Sequence, residues 1–310
     1  MSIVYLGVDV CKDVLDVDWA QRPQVENDRA PVARLVRKIA KAKNKVHFVC
    51  EATGGYERTL VEQCHRFGVP VSVVNAKRVR DFANAAGLKA KTDAIDKQLI
   101  TRYAQALPPR AVPVPEASVV ALRELIKRRE QVVEHIAQTN QATTSMQLRI
   151  VRQGVKRLIQ TLKRELAALD QEISRLVAQC DAMREKVTRL TAIVGIGETT
   201  AVTLLVTMPE LGQVNRREIA ALAGLAPFNR DSGSKQGKRF IRAGRSKPRR
   251  ALFMPALVAK VHCPKMSVRY ERMLSKNKPA KVALTAIMRQ LLVTANAIMR
   301  QYYQEYPDAA

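Results

Sequence analysis

Four carboxylates and one serine-bearing loop are the residues of this 310-residue chain whose types and spacing could do chemistry. Asp9 closes the apolar, β-rich run SIVYLGVDV, and Glu51 ends a second such run, KVHFVCEA, just before Gly54 and Gly55. Asp93 and Asp96 stand three apart in KTDAIDKQL, so on a helix they share a face. A carboxylate set into an apolar run is costly unless a cation gathers it, and hard divalent ions take oxygen ligands of this kind. Two such ions can activate a nucleophile and steady a leaving oxygen in phosphoryl transfer. Taken singly, each acid also reads as a surface charge or a helix-start residue; Asp93, after Thr92, suits a first helical turn. Asp13, Asp16 and Asp18 compete with Asp9. Asp13 falls in an expected hairpin turn, and Asp16 and Asp18 point to one face of the next strand. Asp9 ranks first because it follows VYLGV.

The serine loop is FNRDSGSKQGKRFIRAGR, residues 228–245. From Arg230 to Arg250 the chain holds nine Lys or Arg and one acid, Asp231. Cations beside a phosphate stabilise the transition state of its transfer, but they do not deprotonate a serine. The missing base or metal would come from the acids of the N-terminal part. Ser232 is the leading candidate nucleophile, with Ser234 and Ser246 as alternatives, and an ordinary Asp-Ser-Gly turn is the plainer reading. Arg230, Lys235, Lys238, Arg239, Arg242 and Arg245 are the expected phosphate contacts. Arg239, Arg242 and Arg245 are spaced three apart, whereas Lys235, Lys238 and Lys247 read equally well as solvated charge. A second phosphate-binding candidate is VGIGETTA. There Gly195 and Gly197 would make the turn of a helix-hairpin-helix and expose the amides of the next helix. A plain helical core pair fits that stretch too.

The composition agrees with a polyanionic partner. The chain carries 53 basic and 28 acidic residues, a net charge of +25. A pI near 10.3 with a normal apolar fraction points to nucleic acid. The excess is uneven: residues 1–100 hold 17 basic and 12 acidic side chains, the remaining 210 hold 36 and 16. Aromatics are 5%, so the core is aliphatic and base stacking is not the obvious mode of binding. Five cysteines without C-x-x-C spacing exclude a disulfide framework or zinc site and fit a reducing cytosol. The N-terminus lacks a signal-peptide pattern, and no membrane-length apolar run is read.

The elements that must position these residues follow from periodicity. Strands alternate with helices over residues 1–107, an α/β domain with a hairpin at CKD. Four prolines in LPPRAVPVPEAS make an extended linker. A heptad seam then runs from Val155 through Ile159, Leu162, Leu166, Leu169, Ile173, Leu176, Cys180 and Met183 to Val187. A first helix precedes it, with the break expected at Arg152–Gly154. Either a helical hairpin within the chain or a contact between chains fits, with the oligomer contact preferred. The expected domains are 1–107, a linker and coiled coil over 108–190, and a mostly α-helical C-terminal domain over 191–310.

GVDVCKD, EATGGYERTL and KTDAIDKQLI, followed by LAGLAPFNRDSGSKQGKR, resemble the DEDD transposases of bacterial insertion sequences, recombinases guided by a bridge RNA. The resemblance covers nearly the whole chain in the same order. It implies a RuvC-like (RNase H-like) N-terminal domain in which Asp9, Glu51, Asp93 and Asp96 bind Mg²⁺. It implies that Ser232 attacks a DNA phosphate and forms a transient 5′-phosphoserine link. It further implies a composite active site in a tetramer, a dimer of dimers, and a noncoding RNA that selects double-stranded donor and target DNA in the bacterial cytoplasm, at the nucleoid. The competing readings are a metal-dependent Holliday-junction-type endonuclease that hydrolyses with water, and a non-catalytic nucleic-acid-binding scaffold. His47, His65, His135 and His262 form no ligand spacing, and Trp19, Tyr302 and Tyr303 are assigned to packing.

Overall fold

The computed structural model describes residues 3–19, 24–41, 45–87, 93–143, 146–228 and 239–307, with the side chains of 93–96 left out. It divides into two compact units, Met1–Val114 and Pro115–Ala310.

Unit one runs β1 (Ile3–Val10), β2 (Val14–Val17), β3 (Gln24–Glu26), α1 (Arg29–Ala40), β4 (Lys45–Glu51), α2 (Arg58–Arg66), β5 (Val71–Val74), α3 (Ala76–Ala85) and α4 (Asp93–Ala106). The sheet order is β3-β2-β1-β4-β5. The β1–β2 and β2–β3 pairs are antiparallel, and β1–β4 and β4–β5 are parallel. This mixed sheet between helices is consistent with a RuvC-like α/β domain. Alternation along the strands sorts the side chains by face. Leu6, Val8 and Val10 join Phe48 and Cys50 and pack on Val32, Leu35, Val36 and Ile39 of α1 and on Leu60 and Cys64 of α2. On the other face, Val49 and Val74 pack on Val79 of α3 and on Ile100, Tyr103 and Ala104 of α4, with Tyr5 beside them. Asp28 and Asn75 cap α1 and α3 by accepting from Arg29 N and Lys77 N.

The CKD turn closes through Cys11 N–H to Val14 O at 2.9 Å, as its length predicts. Strand β3 was not anticipated; at three residues with one buried side chain, Val25, it is too short to carry a periodicity. The proline-rich stretch is extended and tied down: Val112 N donates to Val71 O at 2.7 Å, His65 Nε2 to Val112 O at 3.0 Å and Ser72 Oγ to Arg110 O at 2.6 Å.

Unit two is mostly helical: α5 (Ala117–Thr143), α6 (Arg149–Gln179), α7 (Asp181–Thr191), α8 (Glu198–Thr207), α9 (Arg216–Leu222), the short pair β6 (Pro227–Phe228) and β7 (Phe240–Ile241), α10 (Ser246–Ala251), α11 (Phe253–His262), α12 (Pro264–Ser275) and α13 (Ala280–Glu305). Helices α5 and α6 lie antiparallel, stitched by Arg128–Glu165 at 2.7 Å and Arg129–Asp170 at 2.6 Å. The expected break at Arg152–Gly154 is not there. Helix α6 runs through Gly154, since one glycine costs a helix only about 1 kcal/mol relative to alanine. The two helices part earlier, between Thr143 and Arg149, and the seam has a further break at Cys180, where ψ is 106° and α7 turns Met183, Val187 and Leu190 into the core.

Helix α13 has the length and hydropathy of a membrane span, which differs from the reading of no such run. Ten of its residues, from Ala283 to Tyr302, are buried in the core of unit two, so burial within protein accounts for its apolarity. Tyr302 is among them, with Lys186 and Arg189 over its ring, in keeping with its assignment to packing.

Candidate active site

Asp9 and Glu51 sit at the C-terminal ends of neighbouring parallel strands. The β1–β4 register pairs Val8 with Cys50, so the next step sets Asp9 beside Glu51. Both are half-buried. By alternation they share the face of Tyr5 and Val49, which is the face covered by α4.

Helix α4 approaches β1 closely enough to touch backbone. A Cβ on Gly7 would lie 2.0 Å from Lys97 O and 2.7 Å from Thr101 N, so only glycine fits there. Gly7 N donates to Thr101 Oγ1 at 2.8 Å, and that hydroxyl donates to Asp18 Oδ2 at 2.6 Å. One turn earlier, Lys97 Nζ meets Asp16 Oδ1 at 2.7 Å, and Asp16 pairs with Asp9 across the β1–β2 ladder. Asp18, by contrast, lies across from Gly7, donating N–H to its carbonyl at 2.8 Å. Each turn back along α4 therefore advances along β1 from Gly7 towards Asp9. Asp93, the first residue of the helix, comes one further turn back.

Asp16 and Asp18 hold α4, and Asp9 and Glu51 stand at the strand ends. The side chains of Asp93 and Asp96 lie outside the described residues, as do Arg230, Ser232, Lys235 and Lys238. Among the described residues no group of three or more His, Cys, Asp or Glu could hold a metal ion. The donor set nonetheless suits a hard divalent ion: two carboxylates on adjacent strand ends and two more at the start of the covering helix, all oxygen ligands.

Sequence reasoning missed Glu57. Its Oε2 accepts from Thr53 Oγ1 at 2.7 Å, Gly55 N at 2.9 Å and Thr53 N at 3.2 Å, closing the glycine turn that leaves Glu51. Burial pushes its carboxyl up, but these hydrogen bonds outweigh that and hold it below the ordinary range. The cue was present, an acid four residues after a threonine across a glycine pair. Cys50 is no reactive thiol: burial, with Glu57 and Glu51 nearby, pushes it up to about 12.

In unit two, Arg239 and Arg242 are exposed on the return leg of the loop. Arg245 is committed elsewhere: its two terminal nitrogens donate to the two carboxylate oxygens of Glu210, both at 2.6 Å. Gly195 (φ 96°) and Gly197 lie in the turn between α7 and α8. A Cβ on Gly195 would lie 2.5 Å from Pro255 O, so this glycine also serves packing against α11. Gly197 leaves the start of α8 without a side-chain cap, and Glu198 in its first turn accepts from Ser174 Oγ at 2.6 Å.

An α/β sheet with two acids on adjacent strand ends, in a chain with a strongly basic helical unit, is the make-up of a protein that acts on nucleic acid. Residues 7–152 match a DEDD transposase family, and residues 187–271 match the family described as "Transposase IS116/IS110/IS902 family". The chain belongs to the IS110 family of transposases and is a DNA recombinase. It is similar to the "Pilin gene-inverting protein" of Moraxella lacunata and to that of Moraxella bovis. Each is 28% identical over 314 residues, spanning 97% of this chain and 97% of the relative. DEDD transposases are typically metal-dependent.

Proposed function

We propose that this recombinase cuts and rejoins DNA through Ser232, with Asp9, Glu51, Asp93 and Asp96 as the acidic tetrad and a bridge RNA as guide. The observation that supports the reading is that Asp9 and Glu51 lie side by side on neighbouring strand ends, on the face covered by α4, the helix that begins with Asp93.

In this reading Ser232 Oγ attacks the scissile phosphorus. The P–O3′ bond breaks, the 3′ oxygen leaves as a hydroxyl with a proton, and the phosphate stays on the 5′ end as a phosphoserine ester. Attack by the 3′-hydroxyl of another strand reverses the step, releases the serine and seals the new junction. The phosphodiester bond energy is thereby kept. Arg239 and Arg242, exposed beside the loop, neutralise backbone phosphate, and Arg230, Lys235 and Lys238 extend that basic run. Mg²⁺, held by the tetrad, would supply charge neutralisation at the phosphate oxygens and favour the alkoxide of the attacking serine. The turn at Gly195 and Gly197 acts as a helix-hairpin-helix contact to a phosphate. The surplus of basic residues beyond residue 100 supports binding of both donor and target DNA and of the RNA. Assembly is as a tetramer, a dimer of dimers, in the cytoplasm of a bacterium at the nucleoid. Gene inversion, for which the relatives are named, is also a cutting and rejoining of DNA, which the proposed chemistry can perform.

The test is Ser232→Ala. With RNA transcribed from the gene's flanks present, duplex DNA of those flanks, labelled at the 3′ end, should become covalently attached to the wild-type chain and not to the variant, with DNA binding retained. A covalent species that persists in the variant rules out Ser232; cleavage with no covalent species in the wild type favours hydrolysis by water.

A further inference from the structure

The basic loop leaves and re-enters unit two through a narrow foot. Its two legs are paired as β6 and β7, Pro227 with Ile241 and Phe228 with Phe240. Below that ladder the legs touch backbone to backbone. Gly224 (φ 65°) faces Ala243 (φ 57°) and Gly244 (φ 73°). A Cβ on Gly224 would lie 2.1 Å from Ala243 O, and one on Gly244 would lie 2.1 Å from Gly224 N. Arg245 N donates to Leu222 O at 2.7 Å, and Arg249 Nη1 donates to Ala243 O at 3.1 Å and to Gly224 O at 3.3 Å. The crossing is built for contact and admits no side chain at either glycine.

What orients this foot is Glu210. It lies in the turn after α8, and that turn is fastened to α13. Buried Asn296 accepts from Gly212 N at 2.8 Å through Oδ1 and donates to Val214 O at 2.9 Å through Nδ2. Arg300 donates to Gly212 O and Val214 O from the next turn of α13. Gly212 (φ 90°) has Met299 so near that a Cβ would fall 2.8 Å from its carbonyl carbon. The turn that carries Glu210 is thus fixed relative to α13, a core helix of unit two. The Glu210 carboxylate accepts the fork of Arg245 in bidentate fashion, a planar geometry that lysine cannot reproduce.

We propose that Glu210 and Arg245 are a positioning pair for the nucleophile loop: they carry the reference frame of α13 to the foot from which residues 229–238 depart. This rests on the reading of Ser232 as nucleophile. It departs from the sequence reading of Arg245 as a phosphate contact, because both of its terminal nitrogens are already bound to a carboxylate. Burial pushes the Glu210 carboxyl up, and its hydrogen bonds and charge pairing with Arg245 more than offset this and hold it below the ordinary range, so Glu210 is a carboxylate at neutral pH.

The experiment uses the full chain with RNA transcribed from the gene's flanks and a duplex of the same flanking DNA, labelled at the 3′ end. Wild type, Arg245→Met, Arg245→Lys, Glu210→Gln and the swap Glu210→Arg with Arg245→Glu are compared. Three quantities are read: the rate of covalent protein–DNA formation at saturating DNA, the affinity for the duplex, and hydrogen exchange of peptides covering 222–228 and 240–246 without DNA. Misplacement of a reacting group by about 1 Å can cost about a hundredfold in rate. The expected result is a fall of about tenfold to a hundredfold in rate for all three single variants, Arg245→Lys included, on that scale. Exchange at the foot should quicken, affinity should change less than about twofold against the many contacts that set it, and the swap should recover rate and protection. Affinity that falls in step with the rate, with Arg245→Lys active, overturns the proposal and returns Arg245 to phosphate binding. Unchanged rate and exchange in Arg245→Met, with Ser232→Ala inactive, overturn the pair alone. A covalent species surviving in Ser232→Ala overturns the serine reading, and with it the pair's role.

Discussion

Lys97 Nζ lies 2.7 Å from Asp16 Oδ1, and Asp16 stands directly across the β1–β2 ladder from Asp9. The side chains are only 15% and 17% exposed, so this ion pair is better shielded than an ordinary surface bridge. It neutralises the carboxylate next to Asp9 and pins the helix that begins with Asp93.

Lys97→Met leaves Asp16 unpaired beside another acid. The expected loss of stability is about 2–3 kcal/mol, somewhat below that of breaking a fully buried pair. Lys97→Met combined with Asp16→Asn should regain most of it. Urea unfolding of the four proteins of this cycle measures the coupling; additive effects would mean that the two side chains do not interact in solution.

Thr101→Val keeps the shape and removes the hydroxyl that bridges Gly7 N and Asp18. A half-buried donor and acceptor lose their partner, at an expected cost of about 1–3 kcal/mol. Thr101→Ser should restore the stability. Amide exchange at Gly7 should quicken in the valine variant and return in the serine variant.

Gly7→Ala forces a methyl into the backbone of α4. Overpacking of this kind costs about 1–3 kcal/mol, and the upper end is expected because the obstructing Lys97 O and Thr101 N are main-chain atoms. Divalent-ion binding, followed by calorimetry with Mn²⁺ alone, should weaken too, since α4 must shift against the strand that holds Asp9. Wild-type affinity in a folded Gly7→Ala chain would detach the helix from the proposed metal site.

Stability should fall on mild acidification through His47. This histidine is buried, bonds Ser72 Oγ at 2.8 Å, and burial lowers its pKa below 6.5 in the folded chain. The unfolded chain then takes up a proton that the folded one does not. Its contribution is fully present above about pH 6.5 and is lost as pH falls from there through the lowered folded value. Urea midpoints measured from pH 7.5 to 5.5 should drop in the wild type and drop less steeply in His47→Gln.

The outer half of the α5–α6 hairpin should be an assembly surface. Leu148 and Ile150 are each 68% exposed and Leu158 is 51% exposed, while the matching stretch of α5 offers Gln138, Asn140 and Gln141 instead of apolar partners. Ile150→Asp with Leu158→Asp should reduce the assembled mass in solution with little loss of helix content. An unchanged mass would assign those residues to another role.

Much of unit one was legible because its signals are local. The apolar β-rich runs of β1 and β4, the alternation of VLDVDWA in β2, helical periodicity in α1 and α4, and a turn as short as CKD each follow from a few neighbouring residues. The same was true of Asp9 and Glu51, acids at the ends of apolar runs. The helices break after Thr143 instead of at Gly154, and again at Cys180, for reasons that are not local. A heptad seam records which side of a helix is apolar, and not whether the helix continues straight or turns to bury Met183 and Val187.

By itself, then, the sequence determined the α/β start, the helical remainder, the charge that demands a polyanion and the residue types able to handle phosphate. Tertiary structure alone decided the allegiance of particular side chains. It turned Asp16 and Asp18 from rival ligands into anchors for α4, and gave Arg245 to Glu210, 35 residues away. A charge in a sequence has only a type. Which opposite charge it meets depends on where the packing of glycines such as Gly7, Gly224 and Gly244 lets two backbones approach, and that is set by the whole fold.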